Sequence, residues 1–233
     1  MNAFAWGLAG FVLIHVGVSA TGLRAALVRK IGEGPYRALF ALLSFALLAW
    51  MIKGYRDMRF EQLHDPLNDV LWTPEPWLRW PAYALIVFGL LLAFTGLFTP
   101  GPTLAGYEKR GLAAIEPARG VLRITRHPFL WGVAFWAAGH LLVNGERFAL
   151  MLFGALGLMV LLGTRSIDRK GRARDPEAWA KFEAVTSNIP FAAIAQGRNR
   201  LHVGEIGWRA LVALALIALV AWAHPMLIGA PIA

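Results

Sequence analysis

The 233-residue chain has no cysteine. That excludes disulfides, thiolate zinc sites, iron–sulfur clusters and covalent c-type haem attachment. Charge is also scarce, at 16% of residues against roughly 25% in a soluble domain. Acid is scarcer than base: 14 Asp and Glu face 23 Lys and Arg, for a net charge of +9. Such a surplus raises nucleic acid as a partner. The bases, however, lie in loops between long apolar runs, a membrane pattern rather than a nucleic-acid one. No internal repeat, Gly-rich nucleotide loop, zinc motif or catalytic-triad spacing is present. Ser19 lies four residues from His15, but no acid accompanies the pair.

What the chain has in abundance is apolar sequence, 58% of residues. It falls into six runs near the ~20 residues that cross a hydrocarbon core: 3–22, 37–55, 81–99, 128–144, 148–164 and 208–224. The expected fold is therefore an all-α, polytopic membrane helical bundle, a single domain over 1–233. Trp80-Pro81 opens the third run and His127-Pro128 the fourth, where proline's missing N–H costs nothing. Asn144-Gly145 forms a tight turn, and the apolar tail after Pro225 is expected at the interface.

Orientation follows from the bases. The loops after the first, third and fifth runs hold 18 of the 23 Lys and Arg. Those loops read as cytoplasmic and both termini as periplasmic, in a bacterial inner membrane. Residues 1–22 resemble a signal peptide at Val18-Ser19-Ala20, but the charge follows the apolar run instead of preceding it, so they read as a span. The outer loop 56–79, with Trp72 and Trp77, suggests an interfacial cap. Within the inner loop, Asp175-Pro176-Glu177 signals a helix start, with Trp179, Phe182 and Val185 on one face.

Depth sorts the six histidines. His15 lies about 12 residues into its run, ~18 Å from the outer surface and ~12 Å from the inner one. His140 lies about 12 residues into a run of opposite sense, ~18 Å from the inner surface. The two agree to within about one helical turn. His127 sits at the inner interface and His224 near the outer one, while His64 and His202 are in loops. An ionisable side chain at mid-membrane usually marks a site or a paired polar contact. Two neutral imidazoles at matched depth on separate helices suit axial ligation of a haem iron. Interhelical hydrogen bonding is the plainer use of either one alone. Propionates would need cations near the interface. Arg24, on the helix continuing from His15, and Arg126, which opens the helix of His140, are the candidates. Both also satisfy the positive-inside rule.

Several segments together resemble one family. They are Gly120-Val121-Leu122-Arg123-Ile124-Thr125-Arg126-His127-Pro128, Trp136-Ala137-Ala138-Gly139-His140, Thr186-Ser187-Asn188-Ile189-Pro190-Phe191, Gly197-Arg198, the stretch Ile31-Gly32-Glu33 after His15, and His224-Pro225. The chain resembles the NnrU family over nearly its whole length, and through it the 15-cis-zeta-carotene isomerases of plants and cyanobacteria. The resemblance implies a membrane haem b protein whose ligands match His15 and His140, and a redox-dependent cis–trans isomerisation in the isomerase branch. For NnrU proteins it implies a link to denitrification, in nitrite or nitric oxide handling. The implied small partners are an apolar polyene or a nitrogen oxide, besides the bilayer. The match is weakest over 56–79, so substrate identity does not carry over.

Arg126-His127-Pro128 also looks like the Arg-His-Pro element of isoprenylcysteine-type methyltransferases, which hold S-adenosylmethionine. Those enzymes carry an acidic pair after the next span. Here Ser166-Ile167-Asp168-Arg169-Lys170 has one acid and two bases, which weakens that reading. His127 stands equally as a helix cap, an interface anchor or a cofactor-binding residue. Gly197-Arg198-Asn199-Arg200 would order the inner loop or meet lipid phosphate, and Glu205 is expected to pair with a nearby arginine.

Overall fold

An apolar segment in lipid has only its own backbone to hydrogen-bond with, so it closes into a helix. The computed structural model describes residues 3–18, 21–58, 68–107 and 118–229. They are helical apart from loops and one isolated β-bridge, Val70 to Glu146. In chain order the helices are α1 (Ala3–Leu13), α2 (Leu23–Ile31), α3 (Glu33–Arg56) and α4 (Arg79–Leu97). Then follow α5 (Pro128–Val143), α6 (Arg147–Arg174), α7 (Pro176–Val185), the single turn α8 (Ala192–Ala195) and α9 (Trp208–Ile228).

Four helical segments are long and apolar enough to cross a membrane: Glu33–Arg56, Pro76–Leu97, Arg147–Arg174 and Trp208–Ile228. The chain is thus a multi-pass membrane protein. The first and fourth expected runs take other forms. α1 passes into a π turn, Ile14–Val18, and α2 then turns away by 84°. Within the expected span 3–22 the helix is described as far as Val18, and residues 19–20 lie outside the described ones. α5 is apolar but has 16 residues, ~24 Å of rise against a core of ~30 Å.

Three boundaries move outward. α3 begins at Glu33 instead of 37, and α9 continues through Pro225 to Ile228, so the tail expected at the interface is helical that far. α6 continues to Arg174, ten residues past 164. Lys and Arg are good helix formers, and the helix stops only where Pro176 forces the preceding Asp175 out of helical backbone. There the Asp175 carboxylate accepts from the Ala178 N–H at 3.0 Å, capping α7 as expected. Trp179 and Phe182 turn inward, and a Cβ at Gly171 of α6 would meet the Trp179 ring at 2.2 Å. The α7 face therefore packs on the bundle rather than on a membrane surface.

The helices fall into two halves. In one, α3 packs along α1 and α6 touches α1, around a core that includes Phe4, Met51, Tyr55 and Phe148. In the other, α5 packs tightly on α4, and α9 lies against α4. Gly89 and Gly132 make the α4–α5 approach possible: a Cβ at either would lie 2.5 Å from the other's carbonyl oxygen. The α5–α6 seam joins the halves: α6 packs more extensively on α5 than on α1, and the core cluster it shares with α1 and α3 reaches Ala137 of α5. At one end of the seam Asn144 and Gly145 form the expected turn. The N–H groups of Leu71 and Trp72 donate to the Gly145 carbonyl, tying part of the 56–79 loop to the bundle.

Candidate functional site

His15 and His140 are built alike. His15 sits in the π turn, a distortion frequent at functional sites. Its Nδ1 lies 2.7 Å from the Phe11 carbonyl four residues back. His140 Nδ1 lies 2.9 Å from the Trp136 carbonyl, again four residues back. A carbonyl only accepts, so in both rings Nδ1 carries the proton and Nε2 the lone pair. The anchoring residues are both aromatic, and Phe11 and Trp136 both pack on one buried core cluster. Aromatic rings also flank the imidazoles. Phe11 and Phe40 have centroids 4.2 and 5.1 Å from His15, and Phe153 stacks on His140 at 4.5 Å. The two histidine helices are not a principal packing pair: α1 leans mainly on α3, and α5 on α4 and α6.

Arg24 is not on a straight continuation of the His15 helix, because α2 follows the 84° bend. It stays linked to that region by a chain of contacts. Its guanidinium lies over the Tyr36 ring at 5.6 Å, Tyr36 meets Phe40 at 5.9 Å, and Phe40 meets His15. Arg24 also donates to Glu33 at 3.3 Å. His202 is exposed in a loop, His224 lies on α9 and His64 falls outside the described residues.

Arg126 and His127 belong to a second constellation, at the end of the bundle where the bases gather. His127 precedes α5 without capping it through its side chain. Its Nε2 lies 2.6 Å from Asp168 Oδ1 on α6. Arg126 binds Asp168 through two nitrogens, at 3.0 and 2.8 Å, and Glu183 at 2.9 Å. Asn188 adds a fourth donor to Asp168 at 3.1 Å. Asp168 thus accepts four hydrogen bonds in a nearly dry setting: Arg126 is 7% exposed, His127 2% and Asp168 4%. Burial, which disfavours a cation, pushes the His127 pKa below its usual range, outweighing the Asp168 bond. The ring is a neutral donor to a carboxylate that Arg126 already neutralises.

The surrounding loops are stitched to the same end. Arg198 donates from Nη1 to the carbonyls of Glu183, Ala184 and Thr186, so the basic turn orders the loop. Glu205 finds its arginine in Arg123, at 2.9 and 2.8 Å, and also accepts from the Gly120 N–H at 2.6 Å. Asp168, Glu183 and Asn188 were not singled out from the sequence as partners. A usable signal was present, since an arginine opening a membrane helix needs a carboxylate and acids are few here.

A family model described as "NnrU protein" matches residues 3–232. The chain belongs to the NnrU family. Among curated proteins, this NnrU chain is 30% identical over 224 residues to the chloroplastic 15-cis-zeta-carotene isomerase of Zea mays, covering 93% of the chain and 58% of that relative. It is 30% identical over 233 residues to the isomerase of the same name from Arabidopsis thaliana, covering 94% of the chain and 59% of that relative. The chain therefore spans about three-fifths of the length of these relatives. No solved structure matches it.

Proposed function

We propose that this NnrU protein holds haem b between His15 and His140 and uses it in a redox-linked reaction. The observation that carries the reading is the shared tie of Nδ1 to an i−4 carbonyl. It presents an Nε2 lone pair from each of two helices bordering one aromatic core. Among the described residues no three His, Asp or Glu gather to hold a bare ion. Two imidazoles fit a metal that arrives with four equatorial ligands of its own, as in a porphyrin. Arg24, linked to His15 through Tyr36 and Phe40, suits a propionate. Arg126 suits one less well, because two carboxylates already take its donors.

Bound haem supplies a reversible one-electron centre. The chain's own contribution is to fix both tautomers, keep water from the rings with Phe11, Phe40, Trp136 and Phe153, and hold the two helices at one depth. The proposed topology adds α1 and α5 to the four long helices, giving six crossings with both termini outside. In a bacterium the protein then lies in the inner membrane with its basic end in the cytoplasm. The redox role is placed in nitrite or nitric oxide metabolism, as the family resemblance implies.

A second reading is favoured by the relatives, whose names specify isomerisation of a 15-cis carotene. In it the same haem serves cis–trans isomerisation of a polyene lying in the bilayer beside the aromatic rings. Purified protein is expected to show a Soret band with sharp α and β bands after reduction. A colourless preparation from haem-replete cells would defeat both readings. Incubating the reduced protein with a cis-polyene separates them, since trans product selects the isomerase.

A further inference from the structure

The seam between α5 and α6 keeps one register along its length. His127 meets Asp168 at 2.6 Å. A Cβ at Gly163 would lie 3.5 Å from Leu130, and one at Gly157 lies 3.5 Å from the Ala137 Cβ. His140 stacks on Phe153 at 4.5 Å. As the α5 partner advances from 127 to 140, the α6 partner retreats from 168 to 153. The two helices are therefore antiparallel, with no slip as large as a turn.

Most of these contacts do not choose that register. Between helices in lipid there is little hydrophobic driving force, and small residues permit close approach at many offsets. One turn away from Phe153, Gly157 and Gly163 stand Ala149, Leu161 and Met159, all apolar. The contact at the basic end is different. A slide of one turn, about four residues, would set Arg126 opposite Thr164 or Arg172 in place of Asp168. The first offers no charge and the second a like charge.

The proposed ligands sit on either side of α6. His15 follows α1, which shares its core cluster with the first turns of α6, and His140 lies on α5, which packs along α6 and is clamped on α4 by Gly89 and Gly132. Sliding α6 along α5 would carry one imidazole past the other. We infer that Arg126, His127 and Asp168 form a polar latch that sets the α5–α6 register and so holds His140 level with His15. They are positioning residues, remote from the ligand rings. The register claim stands on geometry alone, while its consequence for the metal rests on the haem reading above.

The absence of cysteine gives a clean test. Ala137→Cys with Gly157→Cys places two Cβ atoms 3.5 Å apart, within the range of about 3.5–4.5 Å for a disulfide. In membranes under mild oxidant this pair is expected to cross-link, and Ala137→Cys with Leu161→Cys is not. Adding Asp168→Ala should lower the 137–157 yield about tenfold or more, as loss of a buried ion pair implies, and raise the 137–161 yield. If Asp168→Ala does not accumulate, Asp168→Asn and Arg126→Lys weaken the latch without removing its polarity. A lower 137–157 yield in either supports the latch. An unchanged yield in every variant overturns it.

A second readout separates register from ligation. In cysteine-free Asp168→Asn the haem bands are expected to persist but to shift in position or in midpoint potential. Bands and potential identical to the parent would overturn the link to His140. Absence of bands in the parent itself would end the haem reading and leave the cross-linking result to stand by itself.

Discussion

Two kinds of histidine occupy this bundle, half-buried and fully buried, and their surroundings are opposite. His15 and His140 are bonded to backbone carbonyls and ringed by Phe and Trp. His127 is pressed on Asp168 beside Arg126, in a nearly dry cluster of charged and polar side chains. In the first setting the carbonyl holds the proton on Nδ1, which leaves Nε2 as the atom that would meet a metal. In the second the imidazole is a donor satisfying a buried carboxylate, which is what a structural joint needs. One residue type thus divides into two roles by the company it keeps.

Removing carboxylate from the polar end should have the largest effect on stability. Asp168→Ala leaves Arg126 buried with Glu183 alone, and we expect a loss of about 3–5 kcal/mol, seen as a lower thermal unfolding temperature in detergent. A variant as stable as the parent would erase the distinction between the two regions. Trp179→Ala, beneath the same end, opens a cavity against Gly171 and should cost about 3–5 kcal/mol in the same assay. His127→Gln keeps a donor toward Asp168 and should cost about 1–2 kcal/mol while leaving the haem bands in place. Loss of those bands would move His127 into the ligand set.

A smaller effect is expected in acid. The Arg123 guanidinium, helped by the Gly120 N–H, holds Glu205 at about 2 instead of 4.5. A carboxyl depressed in this way stabilises the fold fully above the ordinary value. That contribution fades as pH falls from about 4.5 through about 2. Part of Glu205 faces solvent, so salt should weaken the effect. Hydrogen exchange at the Gly120 amide reads it: protection relative to Glu205→Gln should shrink across that window. A constant difference would place the clasp elsewhere. Asp175→Ala should cost least, about 1 kcal/mol, by uncapping α7.

The sequence made the apolar architecture legible because each run carries its own signal of length, flanking charge and proline. Depth, which needs only counting along a helix, is what singles out His15 and His140 for the proposed site. Two features escaped. The 84° angle between the helix ending at Val18 and α2 is one, and nothing in the run 3–22 announces it. The latch joins residues 41 and 42 positions apart. Asp168 read as one acid beside two bases because its partners lie far along the chain. The ion pair between Arg123 and Glu205 is 82 positions apart; an arginine partner for Glu205 is expected from the sequence, but not which one.

Visible absorption of the purified protein and its alanine variants tests the proposed grip of His15 and His140 on one haem. Soret and reduced α and β bands are expected in the parent, lost or displaced in His15→Ala and in His140→Ala, and unaltered in His64→Ala and His202→Ala. Bands that survive both of the first two substitutions, or a parent without colour, would contradict it.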